Sequence, residues 1–206
     1  MYIPKHFNLE SRESQLKFIR QNSFGDIVTC FNNQLEINHA PFLVDDSDNF
    51  LLCHLAKMNN HWKFIEKVDD LKVLFKGPDC YISPSWSSNP NTVPTWNYVS
   101  IQVSGTATII DDEQLIELLE NLSQQHEAQF ERPWTIAKME PRKFTAMRKA
   151  IVGLKISIDS IEAKVKLSQN KTSEELNELT EGLSKMNDEN SQKILTLMQK
   201  ASDLQR

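Results

Sequence analysis

Apolar residues along the chain fall first at helical spacing and then at strand spacing. Ser11 can cap a helix reaching about Asn22, with Leu16 and Ile19 on its inner face and Gly25 closing it. Asp26 to Phe31, Leu35 to Val44 and Asn49 to Leu55 are rich in apolar and β-branched residues, and Asn32-Asn33 and Asp45-Asp46-Ser47-Asp48 separate them. Asn and Asp tolerate the left-handed backbone that tight hairpins need, so these three stretches predict a meander. A short helix over Asn60 to Val68, a strand over Leu71 to Phe75, and a Gly77-Pro78 turn before Cys80-Tyr81-Ile82 come next.

Thr95 to Ile110 alternates, with Val99, Ile101, Val103, Gly105, Ala107 and Ile109 on one face and Ser100, Gln102, Ser104 and Thr106 on the other. Period-two alternation over that length predicts one long half-buried barrel strand. Asp111 and Asp112 open a helix whose Leu115, Ile116, Leu118, Leu119 and Leu122 make an apolar stripe, continuing to about Phe130. Ile151 to Leu167 returns to strand spacing through Leu154, Ile156 and Ile158. Thr172 and Glu175 form a capping box for a terminal helical segment carrying Leu176, Leu179, Leu183 and Met186, interrupted at Asn187 to Asn190 and resumed by Ile194, Leu197, Ala201 and Leu204. The pattern predicts a mainly β protein with helices (α+β): a small antiparallel barrel with flanking helices over 1–170 and a helical C-terminal segment over 171–206.

Composition narrows the chemistry. The chain has 206 residues and a formal net charge of −5, as in an ordinary globular protein. Its five glycines, Gly25, Gly77, Gly105, Gly153 and Gly182, are too far apart for a phosphate-cradling loop, a Rossmann fingerprint or a nucleophile elbow. Three separated cysteines, Cys30, Cys53 and Cys80, suit reduced thiols in a core. The N-terminus shows no basic flank followed by an apolar stretch, and no run of about 18 apolar residues occurs, so the expectation is a cytoplasmic protein with no membrane partner.

Three clusters carry candidate chemistry. Tyr81-Ile82-Ser83-Pro84-Ser85-Trp86 and Val93-Pro94-Thr95-Trp96-Asn97-Tyr98 make a rigid, aromatic, hydroxyl-lined surface suited to a flat ligand with an anionic tail; the same residues equally suit an aromatic corner filling the barrel end. In His54-Leu55-Ala56-Lys57-Met58-Asn59-Asn60-His61, a strand exit presents Lys57, Asn59 and His61 to an anion, or forms a surface turn with a solvated lysine. Alternation in Glu162 to Asn170 puts Lys164, Lys166 and Ser168 on one strand face, either to follow a phosphate and sugar or to block edge pairing.

No metal site is expected, because no two histidines lie four apart and His126-Glu127 lacks its second histidine. A lone histidine as axial haem ligand stays an alternative. Lys138, Arg142, Lys143, Arg148 and Lys149 form a local basic stretch, helical from Arg142, that suits either a nucleic-acid contact or a solvated face.

These segments resemble the PaiB family, FMN-binding negative transcriptional regulators with a split β-barrel. The resemblance rests, in order, on Met1-Tyr2-Ile3-Pro4-Lys5-His6-Phe7, His39-Ala40-Pro41-Phe42-Leu43, His54-Leu55-Ala56-Lys57-Met58-Asn59, Gly77-Pro78, the two aromatic strings above, Ile151-Val152-Gly153 and Lys166-Leu167-Ser168-Gln169-Asn170. It covers about residues 1–170. Lys57 departs from the family pattern, where arginine is common, and Cys53 stands where glycine is common. Lysine keeps the charge but lacks the planar fork of a bidentate phosphate grip.

The resemblance implies an FMN-binding split barrel with a helical C-terminal tail, a homodimer with FMN at the subunit interface, and DNA regulation made directly or through a partner protein. On that basis Lys57, Lys166 and Ser168 are candidate phosphate contacts, Ser83, Trp86, Trp96 and Asn97 candidate ring contacts, and Asn59, Ser85 and Thr95 further cofactor-binding candidates. A flavin-dependent oxidoreductase acting on a small molecule is the alternative function, since a flavin brings its own redox chemistry. A haem-binding split barrel is the weaker one.

Overall fold

A computed structural model describes residues 1–200. In chain order it contains α1 (Arg12–Gln21), β1 (Phe24–Phe31), β2 (Gln34–Pro41), β3 (Leu43–Val44), β4 (Phe50–Ala56), α2 (Trp62–Ile65), β5 (Leu71–Ile82), β6 (Thr95–Gly105), β7 (Ala107–Ile109), α3 (Asp112–Glu127), α4 (Pro141–Arg148), β8 (Ile151–Ser157), β9 (Ser160–Lys166), α5 (Ser173–Ser184) and α6 (Glu189–Gln199). The strands form one five-stranded sheet, ordered β2-β1-β5-β6-β9, and one four-stranded sheet, ordered β3-β4-β8-β7. The described chain divides into two compact units, residues 1–18, 76–102 and 162–200 in the first, and 19–75 and 103–161 in the second.

In the second unit the first hairpin of the expected meander forms, but the meander does not: the stretch expected as one strand from Leu35 to Val44 breaks at Phe42, leaving β2 in the five-stranded sheet while β3 pairs with β4 in the other. Asn32 and Asn33 both take positive φ, 50° and 60°, which is the geometry of a two-residue hairpin turn whose twist matches its strands, and β1 pairs with β2 from Phe31↔Gln34 to Phe24↔Pro41. β4 pairs with β8 from Phe50↔Ser157 to Ala56↔Ile151, and β7 pairs with the other edge of β8. Ile27, Leu51, Phe75, Val103, Leu154 and Ile156 are fully buried. α3 begins at an Asp111 capping box whose side chain accepts from Glu113 and Gln114 backbone N–H groups. Its Leu115, Leu118 and Leu122 pack with Ile110, Leu43, Leu52 and Ile151.

Two further predicted elements differ. The stretch expected as one strand from Thr95 to Ile110 is two, because the chain leaves one sheet at Gly105 and enters the other at Ala107. A Cβ on Gly105 would stand 1.8 Å from the Ser157 carbonyl oxygen, and the Thr106 N–H donates to Ser157 Oγ at 2.9 Å. Close backbone approach, invisible in an alternation pattern, makes the crossing. Gly77-Pro78, expected as a turn, lies inside the continuous strand β5. A Cβ at Gly77 would come within 2.6 Å of Phe18 Cζ, so the missing side chain admits a ring rather than a bend.

In the first unit α1 and α5 start where their polar caps predict. Ser14 N–H donates to Ser11 Oγ, and Thr172 and Glu175 form a reciprocal capping box. α6 starts at Asp188, whose side chain accepts from Ser191 N–H. Ala201 and Leu204 lie outside the described residues.

Glu175 also anchors α5 to the 84–92 loop. It pairs with Lys171 at 2.9 Å and accepts from the Asn89 amide at 2.9 Å, while Glu178 accepts from Ser88 N–H. The Lys171, Asn89 and Thr172 hydrogen bonds hold the Glu175 carboxyl at about 2, against its ordinary 4.5. A depressed carboxyl contributes its stabilisation above the unfolded value and loses it as pH falls toward the folded one. Side-chain NMR of Glu175 is therefore expected to give a midpoint near 2, moved up toward 4.5 by Lys171→Ala, with the loop attachment loosening between those pH values. A wild-type midpoint at the ordinary value would remove the clamp.

Candidate functional site

The first unit brings together most of the residues singled out in the sequence. β6 and β9 are neighbours in the sheet, and the Lys166 ammonium at the end of β9 donates to the Thr95 hydroxyl at the start of β6. Among the described residues this ammonium has no carboxylate at ion-pair distance. A half-buried cation with only a neutral hydroxyl for a partner can still take an anion.

Trp96, next along β6, is 52% exposed and meets the Tyr81 ring edge-on at a centroid separation of 6.0 Å. Alternation along the pleat sends Thr95 and Asn97 to the face opposite Trp96. Ser83 caps the short 3-10 turn Pro84–Trp86, its Oγ accepting from Ser85 N–H and lying 2.7 Å from Ser85 Oγ. Trp86 closes that turn against α5. A Cβ on Gly182 would lie 2.3 Å from Trp86 Cγ, so the glycine is what lets the indole lie on the helix.

Asn97 and Ser168 are also neighbours, but inside. Asn97 is fully buried, accepts from Ser168 Oγ at 3.1 Å and directs its amide at Met198 Sδ at 3.5 Å. Ser168 lies beyond the end of β9 with φ of 64°, so the strand alternation that would have aligned it with Lys164 and Lys166 has ended. Gln169 pins this turn by accepting from Leu167 N–H and donating to the Val165 carbonyl. A serine held in the left-handed region is uncommon, and its surroundings must fix it there. Lys164 turns to the Tyr2 carbonyl.

Lys57 and Asn59 belong to the second unit. Lys57 is exposed at the exit of β4, its N–H donating to the Ala150 carbonyl and its own carbonyl accepting from the Trp62 indole. Asn59 is held by Asn38 at 2.6 Å and by the His61 N–H at 2.9 Å. His61 is fully buried, with Nδ1 accepting from the Asn38 amide and Nε2 donating to Thr29 Oγ1 at 2.7 Å. Burial pushes its imidazole below the ordinary value, opposed by Glu36, so it is a neutral structural link rather than a surface donor.

Cys53 and Cys80 are buried, with burial pushing the Cys80 thiol up to about 11, whereas Cys30, expected in a core, is exposed on β1. Arg148, counted in the basic stretch, is withdrawn from it by a 2.8 Å pair with Asp112. Sequence reasoning gave no role to Gly182; only the packing of Trp86 reveals one.

A family model described as "Putative FMN-binding domain" matches residues 1–160. The chain belongs to this family. A relative of the PaiB type, "Protease synthase and sporulation protein PAI 2" of Bacillus subtilis, is 34% identical over 201 residues, covering 97% of each chain. An uncharacterized Saccharomyces cerevisiae protein is 33% identical over 153 residues, covering 62% of this chain and 90% of its own.

Among solved structures, the flavocytochrome Anf3 of Azotobacter vinelandii matches with a TM-score of 0.59 at 15% identity, covering 93% of this chain and 78% of its own. The FAD and heme binding protein of Mycobacterium smegmatis matches with a TM-score of 0.58 at 16% identity, covering 77% and 73%. At such identities the likeness is one of fold, and this PaiB-family chain has the flavin-binding split-barrel fold with mixed α+β content.

Proposed function

We propose that this PaiB-family chain binds FMN and acts in the cytoplasm as a homodimeric negative regulator of transcription. The observation that carries the flavin reading is the Lys166 ammonium, partnered by the Thr95 hydroxyl and by no carboxylate among the described residues, on the same sheet as the exposed Trp96. A cation beside a hydroxyl is the donor set a phosphate monoester takes, and an exposed indole is a face for a flat ring system. When bound, the flavin ring system supplies electron or hydride transfer.

Lys166 and Thr95 would hold the phosphate and Ser83 and Ser85 would donate to ring or ribityl oxygens, while Trp96, on the opposite face of β6 from Thr95, would cover the flat ring of a flavin whose phosphate the other copy of the homodimer holds. Asn97 and Ser168, whose polar groups face each other, would position the ends of β6 and β9. Lys57 and Asn59 remain a second candidate anion contact on their own turn, and Trp86, packed against α5, would border the ring.

Support for the homodimer comes from the outer face of the edge hairpin β1–β2, where Leu35 and Ile37 are exposed at successive positions on one face of β2, with Phe24 exposed on the same face beyond the Asp26–His39 pair. A monomer seldom leaves such a patch in water. Among the described residues no helix is long and apolar enough to cross a membrane.

Regulation can reach DNA through the exposed Arg142, Lys143 and Lys149 around α4, or through a partner protein, since the net charge of −5 opposes unaided nonspecific binding. The test is binding of the purified protein to its own promoter against a random duplex over a salt series, with and without FMN. Preference for the promoter at any salt supports direct repression. Equal binding to both duplexes, with no partner protein restoring a preference, would leave the regulatory half without support.

A further inference from the structure

Within the second unit, a cleft of about 200 Å³ lies among β4, α3 and the 134–151 segment. Its apolar lining includes Leu119, Trp134, Ile136, Met139, Phe144 and Met147. Two polar side chains share that lining, His54 on β4 and Arg148 at the end of α4, and His54 Nδ1 and Arg148 Nε are both out of contact with solvent and without a hydrogen-bond partner. Buried polar groups in folded proteins nearly always have partners, and two orphans in the wall of one apolar cleft are unusual.

The chemistry of the two groups is specific. Arg148 is committed at its far end, where Nη2 pairs with Asp112 at 2.8 Å, and its guanidinium lies 5.8 Å from the centroid of the Phe144 ring. That leaves Nε as a charged N–H donor fixed in position. Burial pushes the His54 imidazole below its ordinary value and favours the neutral ring, whose Nδ1 donates in the tautomer that carries the proton there.

Size restricts the guest. An apolar cavity of about 150 Å³ holds one benzene ring, and drug-sized ligands use about 300–1,000 Å³. At about 200 Å³ the cleft accommodates one substituted ring.

We propose that this cleft binds a monocyclic aromatic carboxylate, its ring among Trp134, Phe144 and Met147 and its carboxylate accepting from Arg148 Nε and His54 Nδ1. The site is separate from the Lys166 set and does not depend on the flavin reading. Because Trp134 lines it, binding reports directly on that indole.

The experiment titrates the full-length protein with benzoate, and in parallel with toluene as the uncharged ring, following tryptophan fluorescence and calorimetric heat. Saturable benzoate binding is expected, with a fluorescence change absent in Trp134→Phe. Arg148→Gln should weaken benzoate at least about 10-fold while toluene binding changes little, the size of one charge-assisted hydrogen bond. Ser123→Phe, a half-exposed α3 position in the lining, should block both ligands, and it decides the matter if Arg148→Gln fails to fold. No saturable benzoate binding to wild type, equal benzoate affinity in Arg148→Gln, unaltered binding in Ser123→Phe, or displacement of benzoate by FMN at one-to-one stoichiometry would each overturn the proposal.

Discussion

Gly105→Ala is expected to destabilise the fold by about 2–3 kcal/mol, lowering the melting midpoint by about 5–10 °C for a chain of this size. The added methyl would start 1.8 Å from the Ser157 carbonyl oxygen, where no side-chain rotation can relieve it. The opposing term is small, since alanine loses less backbone freedom on folding than glycine by about 0.4–1 kcal/mol. Gly105 does not have positive φ, so the whole penalty is spatial. Gly153→Ala is the comparison: its Cβ would meet the Ile110 side chain, Cγ1 at 2.5 Å, rather than backbone, and a smaller drop is expected. Equal midpoints for wild type and Gly105→Ala would mean that the sheets do not approach here as described.

That glycine marks where sequence reading stops. The caps at Ser11, Asp111 and Thr172 were legible because a side-chain oxygen and a backbone N–H two or three residues on belong to one local piece of chemistry. The Asn32-Asn33 turn was legible for the same reason. The crossing at Gly105 and the straight passage of β5 through Gly77-Pro78 were not, because each depends on what lies opposite in space: the Ser157 carbonyl in one case and the Phe18 ring in the other. Alternation reports which face is apolar and says nothing about when a strand changes sheets.

Lys166→Ala is expected to weaken FMN binding by about 10- to 150-fold, the equivalent of the roughly 1.5–3 kcal/mol of one hydrogen bond to a charged group. The half-buried ammonium is partnered only by the Thr95 hydroxyl among the described residues, so its removal strands no carboxylate and should leave the fold intact. Thr95→Val, which keeps the cation, should cost less. Lys57→Ala tests the exposed turn separately and shows whether that lysine contributes. Calorimetric titration of each variant, with melting curves as the folding control, supplies the comparison; undiminished affinity in Lys166→Ala would move the phosphate elsewhere.

The candidate site was legible in part. Lys57 at a strand exit and Lys164, Lys166 and Ser168 along one strand face pointed toward an anion, and the Trp-rich strings pointed toward a flat surface. What stayed hidden was which of these groups were already taken. Ser168 takes φ of 64° and turns to Asn97, Asn59 joins Asn38 and His61, and Trp86 lies on Gly182. The orphaned His54 and Arg148 atoms gave no sequence signal at all, since one lies on a strand and the other about 94 residues later on a helix.

The central claim is that the chain holds FMN by its phosphate. Parallel titrations of the wild-type protein with FMN and with riboflavin, which has the same ring and no phosphate, test it most directly. FMN is expected to bind one per chain and at least about 10-fold more tightly than riboflavin, an advantage that shrinks in Lys166→Ala. Equal affinity for the two flavins, or binding of neither, would contradict it.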